Sequence, residues 1–172
     1  MVFLGEFSQI VVLVLHVLTV VVGVGAVTVT DFLHLTGIKN KDLEKKLVSI
    51  YPLLSKMILL ALLGMVITGA ILVANDPSFL TRPLFILKMA LVLVVFINGQ
   101  VLQKVVSPEL NKCIIERNKK YCTNAVFTKS ALFGSISVVT WYAILVLALT
   151  KNLGYTVMNF LTAYIILIIL VF

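Results

Sequence analysis

Five long runs of apolar residues, separated by short polar segments, dominate the pattern of this chain. They cover Phe7–Leu35, Val48–Ala74, Pro83–Val106, Ala125–Leu149 and Tyr155–Phe172. A bilayer core about 30 Å thick is crossed by an α-helix of about 20 such residues. The pattern therefore predicts an all-α fold, a polytopic integral membrane bundle of five transmembrane helices. We expect residues 1–172 to form a single domain and the last helix to end at the membrane face.

Turn-forming residues fall where the runs end. Asn75 to Ser78 follow the second run, and Pro83 suits the first turn of the third helix. Since such connections are short, we expect sequential helices to pack as antiparallel neighbours. Small residues at helical spacing predict helix interfaces in lipid, where they allow close backbone approach. These residues are Gly64 and Thr68 on the second helix, and Ser130, Gly134 and Ser137, with Trp141, on the fourth.

The first run carries one polar stripe. An ionisable side chain at membrane depth is costly, so it usually faces a protein interior, a partner or a cofactor. At 3.6 residues per turn, the stripe gathers on one side of the helix. Its members are Gln9, His16, Thr19, Gly23, Thr30 and His34, with Asp31 at the edge. The polar side of the first helix is therefore predicted to face the inside of the bundle and to pack around another group there.

The composition supports a membrane protein and excludes an ordinary soluble domain. Apolar residues make up 61% of the chain, charged residues make up 12%, and the mean hydropathy is +1.15. Soluble domains are nearer half apolar and a quarter charged. No Ser-His-Asp set, phosphate-binding loop or carboxylate pair indicates hydrolysis or phosphoryl transfer, so whether the protein is an enzyme stays open.

The net charge of +7 is concentrated in two loops. The first loop carries Lys39, Lys41, Lys45 and Lys46, and the second carries Lys112, Arg117, Lys119 and Lys120. By the positive-inside rule, this asymmetry places both loops in the cytoplasm, with the N-terminus outside and the C-terminus inside. Attraction to anionic lipid headgroups is a sufficient role for the basic residues, so we expect no nucleic-acid partner. Cys113 and Cys122, in the second loop, are expected to be free thiols in a reducing compartment.

Three side chains are predicted to share a layer in the outer half of the membrane. From the helical rise, His16 and Met65 each lie roughly 13 Å from the outer ends of their helices, and Lys88 lies roughly 8 Å into the third. Imidazole and thioether form a known axial pair for haem iron, and a lysine could pair with a propionate. The alternatives are a methionine that fills a core gap, a lysine that snorkels and a histidine bonded to a neighbouring helix.

A second polar layer is predicted near the inner face. Asp31 and His34 end the first helix, and Lys56 lies two turns into the second. Antiparallel packing would bring Asp31 and Lys56 within reach, and a paired charge is far less costly than two separate ones. We therefore expect an inner-layer ion pair between Asp31 and Lys56. A proton or ion path through this layer is the alternative.

Three segments of the first hundred residues resemble the HemJ-type protoporphyrinogen oxidase family and the related CopD-type membrane proteins. These segments are His16 through Gly25-Ala26, Gly64-Met65-Val66-Ile67-Thr68, and Leu87-Lys88-Met89. The resemblance implies that His16 and Met65 are metal ligands of a b-type haem and that Lys88 is the family's basic residue. The chain departs from the HemJ-type pattern at Asn98-Gly99, where the third helix of that family carries a further histidine.

Three functions follow from these features. The first is a haem-binding, redox-related protein of the prokaryotic-type inner or plasma membrane, HemJ-like in architecture. The second is a small transporter or ion-path protein that uses the polar stripe of the first helix. The third is a non-enzymatic accessory or structural subunit. The expected partners are the lipid bilayer and a second copy of the chain or other membrane subunits, because five helices of this size leave much lipid-facing surface.

Overall fold

The computed structural model describes residues 5–39, 50–114, 123–149 and 156–171, with the side chains of residues 34–39, 111, 113 and 114 outside the description. In the described part every long element is helical. The helices are α1 (Glu6–Lys39), α2 (Tyr51–Asn75), α3 (Pro83–Val101), α4 (Ser107–Ile114), α5 (Asn124–Leu149) and α6 (Val157–Val171). The predicted all-α bundle is therefore confirmed.

Within the described residues, four stretches of helix are long and apolar enough to cross a membrane. They are residues 6–33, 51–75, 83–110 and 124–149, and they match the first four predicted runs closely. The described part of the fifth run is the apolar helix α6, with 15 residues. At the helical rise, this corresponds to about 22 Å, which is shorter than the hydrocarbon core. A fifth crossing therefore stays a prediction.

The connection between α2 and α3 is a compact 3-10 helix, Pro77–Thr81. The Asp76 side chain caps it by accepting a hydrogen bond from the Ser78 backbone N–H at 3.1 Å. Arg82 at its other end lies 3.5 Å from the Asp76 carboxylate and stacks 4.3 Å from the Phe79 ring centre. Arg82 thus closes the turn on both sides, and Pro83 then opens α3 with a backbone angle suited to a helix start.

A π-helical turn, Leu102–Val106, joins α3 to α4 in one continuous helix. The sequence does not predict this π-helical turn, because Ser107-Pro108 suggests that the helix ends there. Instead, Pro108 lies in the first turn of α4, directly after the π-helical turn, and the helix continues through it. Beyond the turn, Glu109 of α4 meets Lys129 of α5 at 3.5 Å.

The long helices alternate in direction. α1 packs along α2 on one side and along α5 on the other, and α5 also contacts α3 and α6. Among the described residues, the only long helix with which α2 makes extensive backbone contact is α1. The expectation that α2 and α3 pack as close neighbours is therefore wrong, because the 3-10 segment between them spaces their ends apart. The C-terminal end of α2 and the N-terminal end of α3 consequently do not pack tightly on each other.

The core lies between α1, α2, α3 and α5 and centres on Trp141, which is fully buried. Gly23 of α1 lies directly against the Trp141 ring, and a Cβ at this position would overlap it. This contact and the burial of Ser130 confirm that the small-residue stripe of α5 is a packing face. In contrast, the apolar side chains of α1 between Phe7 and Leu18 are mostly exposed, so among the described residues the N-terminal third of α1 contacts little protein apart from α2.

Candidate functional site in the outer half of the bundle

His16 lies at the α1–α2 contact, where both helices bring small or polar residues together. Its ring stands over Gly69, whose ideal Cβ position is 3.3 Å from the His16 Cε1 atom. One turn further along α1, Thr19 faces Gly64, and a Cβ there would lie 2.7 Å from the Thr19 Cγ2 atom. The two glycines of α2 therefore let its backbone approach α1 closely enough to hold the His16 ring in place.

A short hydrogen-bond chain orients the imidazole. His16 Nδ1 and Thr68 Oγ1 are 2.9 Å apart, and the Thr68 hydroxyl donates to the Gly64 carbonyl at 2.6 Å. Because the hydroxyl proton is used on Gly64, the Nδ1–H of His16 donates to Thr68 Oγ1. In a neutral imidazole, Nε2 then carries a free lone pair. This is the arrangement of a metal-binding histidine whose second nitrogen is held by a neighbouring acceptor.

Lys88 of α3 is a nearby charged residue of this site. It is partly buried, and its charge acts on the His16 ring. Within the described residues no carboxylate lies within ion-pair distance of Lys88. That His16 and Lys88 share a layer of the membrane stays a prediction. The arrangement offers a neutral nitrogen donor and a cationic side chain to one ligand.

Met65 occupies a different position from the one predicted for a second axial ligand. Its side chain is 2% exposed and belongs to the apolar core, together with Val20, Val24 and Ala61. The group of Met65 that lies near the imidazole is its backbone carbonyl. Since α1 and α2 touch at Gly64 and at Gly69, no gap as wide as a porphyrin separates them at this level. The Met65 thioether therefore fits a core gap-filler, and its predicted ligation of haem iron does not fit this packing.

The residues thus fit a haem in part. His16 provides one ligand of the right tautomer, and Lys88 provides a counter-charge for a carboxylate. The exposed apolar face of α1 next to His16 provides a surface on which a flat apolar ring could lie. Among the described residues no group of three or more His, Cys, Asp and Glu could hold a metal ion by itself. At this site the His16 imidazole offers one nitrogen donor.

The predicted inner pair between Asp31 and Lys56 is wrong in this structure. The ion pairs among the described residues join Arg82 to Asp76 and Lys129 to Glu109. Asp31 instead faces α5, where its Oδ1 lies 3.7 Å from the ideal Cβ position of Gly134. Lys56 is exposed on α2. The two residues are at similar depth, but they project from different faces of the α1–α2 pair, a rotation that helical depth alone does not reveal.

Other predicted residues lie outside what the structure describes. The backbone of His34 belongs to α1, but its side chain is not described, and the same is true of Cys113 in α4. Cys122 is not described at all. Their predicted roles are unchanged. The sequence did not predict the link between Thr68 and His16, because the spacing of Thr68 from Gly64 indicated helix packing. The available signal was its antiparallel position opposite His16, one turn after Gly64.

Comparison with known proteins leaves the family open. No family model, no curated protein and no solved structure matches this chain. The resemblance of the His16, Met65 and Lys88 segments to the HemJ-type and CopD-type families therefore stays a prediction from the sequence.

Proposed function

We propose that this protein is a multi-pass membrane protein of the inner or plasma membrane that binds a b-type haem on His16 in the outer half of the bilayer. The observation that carries the proposal is the orientation of the imidazole. The contact with Thr68 commits Nδ1–H, which leaves the Nε2 lone pair for a ligand. An ionisable residue in a membrane helix is by default a candidate functional residue, and this one is held in the tautomer that binds metals.

Lys88 supports the same ligand. A cation partly buried next to an apolar helix is stabilised by an anionic partner, and a haem propionate is such an anion. A bound b-type haem would supply one-electron transfer. The protein's own contribution is to hold His16 by the Thr68–Gly64 chain, to neutralise a propionate with Lys88 and to offer the apolar surface of outer α1. Because Met65 lies in the core, the proposed site has one protein ligand rather than the two predicted from the sequence.

The proposal is tested by the absorbance of purified variants. His16→Ala should lose the Soret band. Lys88→Gln should keep a haem of reduced affinity, because the iron ligand remains and only the counter-charge is lost. His34→Ala is the matched control, since about 27 Å of helix separates it from His16. Retention of a full Soret band by His16→Ala would exclude His16 as the ligand.

A wild type that binds no haem would favour the accessory-subunit function. In that case the His16–Thr68 contact serves helix packing alone, and Lys88 is a snorkelling lysine.

A further inference from the structure

A cleft between α5 and α6 is a feature that the proposed haem site does not use. Its volume is about 630 Å³, which is within the usual range for sites that bind small molecules. Its apolar walls include Val138, Ala143 and Val146 of α5 and Phe160, Ala163 and Leu167 of α6. Val146 and Leu167 are also exposed, so the cleft opens on the surface of the bundle. Because this part of α5 belongs to a stretch that is apolar enough to cross a membrane, the opening faces lipid.

The packing of α6 on α5 is loose. A hydrogen bond of 2.8 Å between the hydroxyls of Tyr164 and Thr140 joins the two helices, but no described residue of α6 is buried. Helices associate in lipid by close packing, and atoms that line a void lose dispersion contacts on one side. A guest in the cleft would therefore complete the contact between α5 and α6.

The polar groups of the cleft suit an uncharged guest. No charged side chain belongs to its described lining. The Thr28 and Thr140 hydroxyls each donate to a carbonyl of their own helix, so Tyr142 donates to Thr28 at 3.0 Å and Tyr164 donates to Thr140. Both phenol protons are thus used inside the bundle. Asn159 is the lining residue whose side chain can offer amide hydrogens and an amide oxygen to a guest.

The size and the shape of the cleft limit the guest further. Asn159 and Val171 both line the cleft, and about 18 Å of helix separates them, so the cleft is elongated with its amide towards one end. At about 30 Å³ for each water-sized group, the volume holds roughly 20 non-hydrogen atoms. This is enough for one long hydrocarbon chain, whereas the two chains of a phospholipid would not fit together.

We propose that the cleft between α5 and α6 binds a lipid with one hydrocarbon chain and an uncharged, hydroxyl-bearing head. The chain lies along the apolar walls, and the head bonds to the Asn159 amide. The lipid joins α6 to the rest of the bundle, and its binding does not depend on a haem at His16.

The test is photo-crosslinking of the full chain in nanodiscs of dioleoylphosphatidylcholine. The probe is monopalmitoylglycerol with a diazirine in its chain, and the adducts are mapped by mass spectrometry of peptides. Adducts are expected in the cleft, at Val138, Val146 and Leu167, and also on the exposed side of α2, at Leu60 and Ile67. Excess unlabelled monopalmitoylglycerol should remove the cleft adducts and leave those on α2, because only a site of limited capacity saturates.

Two variants test the walls and the amide separately. Ala163→Phe should abolish the cleft adducts, because the new ring occupies the space of the chain, whereas Ala90→Phe, at an exposed alanine of α3 outside the cleft, should keep them. Asn159→Leu removes one neutral hydrogen-bonding partner and should raise the competitor concentration for half displacement roughly 3- to 10-fold. Thr162→Val is its control, since Thr162 is an exposed polar residue of α6 outside the lining.

Three results would overturn the proposal. The first is a set of cleft adducts that excess monopalmitoylglycerol does not displace, as expected for ordinary surrounding lipid. The second is equal or better displacement by palmitoyl lysophosphatidylglycerol, which has the same chain and an anionic head. The third is wild-type labelling of the cleft in Ala163→Phe. If that variant does not fold, the two displacement experiments on the wild type decide.

Discussion

At the scale of single residues, two properties of a side chain must be distinguished. One is its depth along the helix, and the other is the direction in which the rotation of the helix about its axis points it. Counting residues along the apolar runs predicts that His16 and Lys88 share one layer, and the charge of Lys88 does act on the His16 ring. The same counting suggests an axial role for Met65, whose side chain packs in the core, and an ion pair of Asp31 with Lys56, which is not among the ion pairs of the described residues. Depth is set by the helical rise alone, whereas the facing partner depends on how each helix is rotated, which depends on packing with the other helices.

Thr68 is the residue whose substitution most directly tests how His16 is held. Thr68→Val keeps the shape of the side chain but removes the acceptor of the Nδ1–H bond. Loss of such an outer partner typically lowers metal affinity about 10- to 100-fold. We therefore expect haem titration of Thr68→Val to give a dissociation constant that is higher than that of the wild type by this factor.

Thr162→Val is the matched control for this change. Thr162 is a hydroxyl residue on α6 that bonds to a carbonyl of its own helix, Met158, and is remote from His16. The haem affinity of the Thr162→Val variant should equal that of the wild type. Equal affinities in Thr68→Val and Thr162→Val would show that the hydrogen-bond chain does not orient the ligand.

At the scale of elements, the apolar runs predict four long helices within a few residues, because lipid requires every backbone group to be bonded within its own helix. Two features of the elements could not be predicted. The π-helical turn Leu102–Val106 is a local adjustment that carries no distinctive residue pattern. The separation of α2 from α3 depends on the compact turn between them, whereas a short connection by itself suggests close packing.

The α1–α5 interface depends on Gly23, whose lack of a side chain leaves space for the ring of Trp141. Gly23→Ala should destabilise the protein, because the new methyl group would overlap the fully buried Trp141 ring. Overpacking of this kind typically costs about 1–3 kcal/mol. Thermal unfolding in detergent should show a clear decrease in the melting temperature.

Gly25→Ala provides the control for this change on the same helix. No heavy atom lies within 4 Å of the Cβ position at Gly25. Its melting temperature should stay at the wild-type value or rise slightly, since alanine favours helix more than glycine. If both variants lose the same stability, backbone propensity rather than the Trp141 contact is responsible.

At the scale of the whole molecule, composition alone predicts a membrane bundle, and the alternating helix directions agree with repeated crossing. The orientation in the membrane rests on the loop charges, which the structure does not test. The prediction is that the basic loops are cytoplasmic and that the turn between α2 and α3 faces outward. An impermeant thiol reagent applied to intact cells should then leave Cys113 and Cys122 unmodified.

A cysteine at the opposite membrane face provides the positive control. Ser78→Cys, in a chain whose two native cysteines are replaced by serine, places an exposed thiol in the α2–α3 turn. This variant should be labelled from outside. If the native cysteines of the wild type were labelled from outside and the Ser78→Cys thiol were not, the topology would be the reverse of the predicted one.

The most direct measurement of the haem assignment is the reduced-minus-oxidised difference spectrum of the wild type, purified from cells supplied with a haem precursor. In the structure, Thr68 holds the His16 ring, and the charge of Lys88 acts on it. We therefore predict a Soret band that shifts on reduction with dithionite, with a stoichiometry near one haem per chain. A purified wild type that shows no Soret band, even after haem is added to the detergent-solubilised protein, would contradict the assignment.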